Sequence, residues 1–268
     1  MDSSTVTLAS GIRLSYAATG PESGPAVVFL PGPTDSWRSY SPVLDCLPSS
    51  IRAIAVSQRG HGDSDKPASG YRVENFAADV VLLLDELGIQ RAVLAGHSGS
   101  CLVARRVAID HPERVAGLVM EASPVCLKGH HGLEGFVTTV LSNLDDPIDA
   151  EFARSFVTDT SSVALAPEVL DQLVHELLHV PARVWKETFA GLLAYDDLTE
   201  LGTVRIPTLL IWGDADGLVD REMQETLGEI IPGAVLLVYE GVGHTPRWEN
   251  PRRFSSDVAA FVEKSFRD

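Results

Sequence analysis

Leu94-Ala95-Gly96-His97-Ser98-Gly99-Ser100 is the stretch that decides the fold. A short apolar run, 92–95, reads as a strand and enters it. A helical pattern over 98–109 leaves it and stops at His111-Pro112. A serine between a strand and a helix, with small residues on both sides, fits a sharp turn that lifts its hydroxyl above a sheet. Bulky neighbours would clash there. The helix that starts at the turn points N–H groups at the site, which favours developing negative charge. Ser100 stands where the G-x-S-x-G pattern has its last glycine, and serine is small enough for the turn. Alone, the match is also what a chance turn would give.

Working outward, strand and helix patterns alternate. Residues 26–30 form a buried-strand run that ends in Pro31-Gly32-Pro33. Residues 52–56 form another, before the turn Arg59-Gly60-His61-Gly62. Apolar residues recur at helical spacing over 73–87 and stop at Gly88, and 115–120 is again a strand. This alternation predicts an α/β fold with a parallel sheet covered on both faces. The middle differs. Helical patterns over 133–144, 149–157, 167–178 and 184–195 follow one another with no strand between them. Strands return at 208–212 and 234–238, and a last helix over 251–266 begins with proline. The expected division is a core of 1–124 plus 204–268, interrupted by a helical insertion, 125–203, over one end of the sheet.

Composition narrows the function classes. The 268 residues carry 21 Lys+Arg against 37 Asp+Glu, a net charge of −16, with 45% hydrophobic residues. That is a globular composition. Nucleic acid and anionic membranes need a positive footprint, so neither is expected as a partner. The three cysteines, Cys46, Cys101 and Cys126, form no C-x-x-C pair, which fits a reducing compartment. The first residues, Met1-Asp2-Ser3-Ser4-Thr5, show no basic start and no apolar run, and no apolar run in the chain is long enough to span a bilayer. A cytoplasmic protein, monomer or homodimer, is expected.

Two further segments bear on the serine. Gly213-Asp214-Ala215-Asp216-Gly217 follows the strand ending at Trp212. Gly241-Val242-Gly243-His244-Thr245 follows the strand before the last helix. Ser98, Asp216 and His244 thus come in the order of a Ser–Asp–His triad, each just beyond a strand. Taken singly, Asp216 could be a helix cap and His244 a loop residue, and Asp214 competes for the acid's place. Together at strand ends they point to acyl transfer. Serine is a weak nucleophile until a base removes its proton, and histidine is poised to do so near neutral pH.

With these segments, and with Gln58-Arg59-Gly60-His61-Gly62-Asp63-Ser64-Asp65, the chain resembles the α/β-hydrolase fold family over nearly its whole length. It is most like a small bacterial serine esterase or lactonase with a helical cap. The resemblance implies a mostly parallel eight-stranded sheet with helices on both faces. It implies Ser98 as nucleophile, His244 as base, Asp216 as the acid that orients it, and 125–203 as the cap. It implies no cofactor and no metal, and the sequence carries no phosphate loop or dinucleotide fingerprint. The Gly99 N–H is one expected oxyanion donor. The second is open. The family's loop reads His-Gly-x, with x the donor, but here x is Pro33, which has no N–H. Losing one donor costs about 3–4 kcal/mol of transition-state stabilisation. A shifted loop offering Thr34 or Gly32, a side chain from the cap, or slow acyl transfer are the alternatives.

The expected activity is hydrolysis of an apolar ester or lactone through an acyl-enzyme. Members resembling this chain include aryl esterases and enzymes that open acyl-homoserine lactones. A slow-turnover ligand receptor or signalling protein, a C–C hydrolase and a cofactor-free perhydrolase stay open. Serine at the elbow, where dehalogenases and epoxide hydrolases carry Asp, disfavours those reactions. Trp37, Phe136, Trp185 and Phe189 are candidate substrate-binding residues, with core packing as the plainer role. The charge of −16 makes neutral substrates the better fit. One motif stands apart: His175-Glu176-Leu177-Leu178-His179 matches the H-E-x-x-H zinc helix. The only downstream third ligands are Glu187 and Glu200, and neither sits in a supporting pattern.

Overall fold

The computed structural model describes residues 3–267. The outermost residues of the expected core, 1, 2 and 268, therefore lie outside the described residues. In chain order the strands are β1 (Ser4–Thr7), β2 (Arg13–Thr19), β3 (Ala26–Leu30), β4 (Arg52–Ser57), β5 (Ala92–His97), β6 (Val115–Glu121), β7 (Thr208–Gly213) and β8 (Val235–Tyr239). They form one sheet in the order β1-β2-β4-β3-β5-β6-β7-β8. The β1/β2 and β2/β4 pairs are antiparallel and all others parallel.

The parallel strands show why they read as continuous apolar runs. Side chains alternate between faces along a strand, and here both faces are covered. Val28, Leu94 and Leu118 pack into one apolar layer. Their neighbours Val27, Val93 and Val119 pack into the other. Each such side chain contributes about 1.5–3 kcal/mol by leaving water. Helices α1 (Ser41–Leu44), α2 (Val73–Glu86) and α3 (Ser100–Asp110) come before the block between β6 and β7. That block holds α4 (His131–Thr139), α5 (Ala150–Thr158), α6 (Pro167–Leu178), α7 (Ala182–Ala194) and α8 (Leu198–Leu201). Helices α9 (Arg221–Ile230), α10 (Pro246–Glu249) and α11 (Pro251–Ser265) complete the chain.

Several boundaries move. The helix expected from 98 starts at Ser100, because Ser98 itself forms the turn. The helix expected over 133–144 stops at Thr139 and continues as a short tight turn, Leu141–Asn143. Strands β1 and β2 and helix α9 had no clear sequence signal. β1 is exposed along most of its length, so it lacks the buried run that marked the others. Helix α9 is mostly polar and exposed, with Gln224 and Leu227 buried. The block from α4 to α8 is wholly helical, and its Leu141, Val157, Leu173 and Trp185 belong to the same apolar layer as α2 and α3. Among the described residues no helix is long and apolar enough to cross a membrane.

Candidate active site

The loops that follow β3, β5, β7 and β8 meet at the carboxyl edge of the sheet, where open α/β sheets bind ligands. Ser98 occupies the turn between β5 and α3 with φ of 52°. That is the left-handed region, uncommon for a residue with a Cβ. Its N–H donates to the Glu121 carbonyl at 2.9 Å, which anchors the turn to β6. Gly96 is required by close packing. A Cβ there would lie 2.7 Å from the Ser100 carbonyl oxygen and 2.8 Å from the Cys101 nitrogen.

Asp216 and His244 meet. The His244 Nδ1 lies 2.8 Å from Asp216 Oδ2. Asp216 Oδ1 accepts the N–H groups of Leu218 at 2.8 Å and Val219 at 3.1 Å. The carboxylate is therefore oriented by its own loop. Asp214 turns elsewhere and accepts the Gly241 N–H at 2.6 Å. The two loops approach closely because residue 213 is glycine: a Cβ there would sit 2.1 Å from the Val242 carbonyl oxygen. Ser98 and His244 line one cavity, though no hydrogen bond joins the Ser98 hydroxyl to His244.

The loop after β3 makes a tight turn. The Asp35 N–H donates to the Gly32 carbonyl at 3.1 Å, with Pro33 second and Thr34 third. This is the type II arrangement, whose third position takes a positive φ and usually a glycine. Thr34 has φ of 82° and is β-branched, so the turn is strained. Thr34 is buried with its hydroxyl unpartnered and lies off the cavity wall, whereas Gly32, Pro33 and Asp35 are on it. Of the two loop residues expected as alternatives for the second donor, Gly32 is among the residues lining the cavity and Thr34 is not.

The cavity measures about 480 Å³. Phe136, Phe156, Phe189 and Leu192 from the helical block line one side, and Met223 and Trp248 contribute from the core. Of the four aromatic candidates, Phe136 and Phe189 are on the wall. Trp37 and Trp185 are not. Trp37 packs in the layer on the other face of the sheet with Tyr40 and Phe254. Trp185 is fully buried behind the wall, stacked on Phe189 at 6.2 Å and edge-on to Phe156 at 4.9 Å. The ionisable side chains on the wall are Asp35, Asp159, His97, His130 and His244, with no Lys or Arg.

Behind the wall lies a charged cluster that sequence reading did not single out. Arg247 is fully buried and reaches Asp35 at 2.7 Å and Glu121 at 3.4 Å. Burial outweighs the arginine at Asp35 and pushes its carboxyl up to about 6. Burial likewise raises Glu121. Two acids share one arginine here, and neither residue type nor spacing signals that 121 and 247 converge across 126 residues. His97 is buried and held neutral by desolvation, well below the usual imidazole range. Its Nε2 lies 3.0 Å from the His244 carbonyl. A carbonyl only accepts, so Nε2 carries the proton.

The H-E-x-x-H helix face lies apart from this cavity. Glu176 pairs with Arg38 at 3.2 Å, and His179 Nδ1 donates to the His175 carbonyl at 2.7 Å. Among the described residues no three His, Cys, Asp or Glu side chains converge as a metal site.

A family model described as alpha/beta hydrolase fold matches residues 25–251. The chain is 29% identical over 275 residues to a non-heme chloroperoxidase of Streptomyces lividans, covering 97% of this chain and 99% of the relative. Among solved structures it is similar to Est816, an N-acyl homoserine lactone degrading enzyme, with 26% identity, a TM-score of 0.80, and 96% and 100% of the two chains covered. It is also similar to an esterase from Thermogutta terrifontis, with a TM-score of 0.86 and 99% of each chain covered. At 22% identity that last likeness speaks to the fold alone.

Proposed function

The chain belongs to the α/β-hydrolase fold family, and we propose that it is a serine hydrolase of neutral, apolar carboxylic esters and lactones. The observation that carries this reading is the strained serine, Ser98, opening into the same cavity as a histidine whose far nitrogen is held by a buried carboxylate. Ser98 Oγ attacks the substrate carbonyl while His244 Nε2 takes its proton. Asp216 fixes the tautomer and stabilises the imidazolium. The Gly99 N–H, at the start of α3, and the Gly32 N–H receive the oxyanion. His244 then gives the proton to the leaving alkoxide, and water attacks the acyl-enzyme by the same route. In a lactone the leaving oxygen stays tethered, so the product is a hydroxy acid and the chemistry is otherwise unchanged.

Substrate class follows from the wall. Aromatic and aliphatic side chains from the helical block suit an acyl chain or aryl group. No Lys or Arg is among the wall residues, so an anionic substrate would find no cationic side chain there to pair with. The block over 125–203 then acts as a cap that covers the bound acyl group. One chain supplies every residue of this site, so a monomer suffices. The lactone-degrading relative supports the lactone arm of the proposal.

The test is Ser98 labelling by a fluorophosphonate, with aryl acetates and acyl lactones assayed in parallel. Labelling at Ser98 and turnover of either class supports the proposal. An unlabelled Ser98, with no turnover of either, overturns it. The chloroperoxidase relative favours one second reading. Hydrogen peroxide attacking the same acyl-enzyme in place of water gives a peracid, and peracid formation from an ester plus peroxide would distinguish it.

A further inference from the structure

His244 is held by its backbone from two sides. Its carbonyl accepts from His97 on the nucleophile turn, at 3.0 Å. Its N–H donates to the carbonyl of Thr160 at 3.0 Å. Thr160 lies in the turn that follows α5, within the helical block, and lines the cavity. The base is therefore suspended between the serine turn and the helical block.

Glu249 ties the same seam. Its carboxylate accepts the Gly243 N–H at 3.0 and 3.1 Å. It accepts the Ser162 N–H at 3.3 Å and the Thr245 hydroxyl at 3.3 Å. The Ser162 hydroxyl also bonds to it and lies 2.9 Å from the Gly241 carbonyl. A carboxylate with several donors is a charge-assisted network, stronger than neutral hydrogen bonds. The fit is close: a Cβ at Gly243 would lie 2.7 Å from the Ser162 nitrogen and 2.9 Å from Glu249 Oε1. Residues 162 and 249 are 87 positions apart, so local chain stiffness does not hold them together.

We infer that Glu249 is a positioning residue, clamping the His244 loop to the 160–162 turn so that His244 addresses Ser98 only while that turn is seated. The inference rests on His244 being the base, as proposed above. The helical block then does more than cover substrate. Its 160–162 turn supplies part of the support for the base, and displacement of the turn slackens the histidine. Asp216 holds the ring, and Glu249 with Ser162 holds the loop that carries it.

The experiment uses the full chain and reads the second-order rate of Ser98 labelling by a fluorophosphonate, with ester kinetics and a thermal melt beside it. The variants are E249A, S162A and S162T. Small displacements of a catalytic group cost up to about a hundredfold in rate. E249A is expected to slow labelling and kcat by about tenfold or more with KM little changed. S162A is expected to slow both several-fold, and S162T, which keeps the hydroxyl, to restore them. A purely structural role predicts a lower melting temperature with unchanged labelling of the folded protein, and that result would overturn the inference. If E249A does not fold, the exposed Ser162 pair decides: S162A labelling at the wild-type rate overturns it. Wild-type protein that takes no label fails the serine-hydrolase reading itself, a different outcome.

Discussion

The Ser100 hydroxyl donates to the carbonyl of Pro31 at 2.6 Å. The Gln58 side-chain nitrogen reaches the same carbonyl at 3.1 Å and the Ser100 oxygen at 2.9 Å. These three buried groups join the serine turn, the loop after β3 and the end of β4. Ser100, a departure from the usual glycine, is thus a tie between the nucleophile and the oxyanion loop. Ser100→Ala leaves Gln58 on the Pro31 carbonyl but removes both hydrogen bonds of the Ser100 hydroxyl, the one it donates to Pro31 and the one it accepts from Gln58. The expected cost of the two bonds is about 1–3 kcal/mol in urea unfolding, with a several-fold drop in kcat on a p-nitrophenyl ester as the Pro31–Gly32 loop loosens. Wild-type kcat in this variant would show that the tie does not position the loop.

Ser98 stores strain that glycine would release. A residue with a Cβ at φ of 52° costs about 1–3 kcal/mol, and glycine gives back about 0.5–1 kcal/mol as chain entropy. Ser98→Gly is therefore expected to gain on the order of 1 kcal/mol in stability while losing turnover. Ser98→Ala keeps the strain, so it should lose turnover without that gain. Thermal melts of the three proteins check the ordering. Ester turnover retained in Ser98→Ala would remove the serine from the mechanism.

Arg105 locks both ends of the helical block to α3. It pairs with Asp197 near the block's end, with Nε to Oδ2 at 2.9 Å. It also donates to the carbonyls of Pro124 and Val125 at the block's start, at 3.0 and 3.1 Å. Both side chains are essentially inaccessible. Arg105→Met leaves Asp197 buried and unpaired, which typically costs about 3–5 kcal/mol. Chemical denaturation measures this, and a change under about 1 kcal/mol would mean the pair behaves as a surface bridge.

What was legible in the sequence follows from burial and from chain order. Buried parallel strands such as 26–30 and 115–120 are apolar at every position, so they stand out as runs. The hairpin of β1 and β2 carries less of that signal, because β1 is largely exposed and β2 is only partly buried. That Asp216 meets His244, and that His244 shares a cavity with Ser98, is legible because each of the three sits just past a strand end in a glycine-bearing loop. Their supports are not. Glu249 and Arg247 look like ordinary charges on one short segment, α10. Their partners, Ser162, Asp35 and Glu121, come from three other segments, and only the folded chain brings them together. Trp37 and Trp185 are off the cavity wall and in the core, the plainer of their two expected roles, because a large aromatic reads the same in sequence whether it faces a cavity or stands behind the residue that does.

His61 should make the protein acid-sensitive in a defined window. It is buried, with Nδ1 at 2.8 Å from the Arg59 carbonyl. Burial pushes its pKa down from 6.5 to about 4. As pH falls from about 6.5 to about 4, the unfolded chain takes up a proton that the native ring refuses, so stability drops through that window. Asp35 opposes this. Its native pKa of about 6 lies above the ordinary 3.8, so between those values the native state keeps a proton that the unfolded chain releases. The difference between His61→Gln and wild type isolates the histidine. The variant is expected to gain stability relative to wild type as pH falls through the window. An offset that stays constant with pH would exclude the titration as its cause.

The cavity wall gives the sharpest test of substrate choice. Phe189 lines the cavity, while Trp185 stacks behind it at 6.2 Å. Phe189→Ala opens space for several methylene groups where an acyl chain would lie. Its optimum in a p-nitrophenyl ester series should therefore move to longer chains, and the core loses about 3–5 kcal/mol of packing at most. Trp185→Phe trims a ring that is not on the cavity wall and deletes a buried indole N–H that has no partner. Its chain-length profile should match wild type even if stability changes. Profiles that shift in both variants would mean the aromatic layer moves as a unit, and a shift in neither would place the acyl group elsewhere in the cavity.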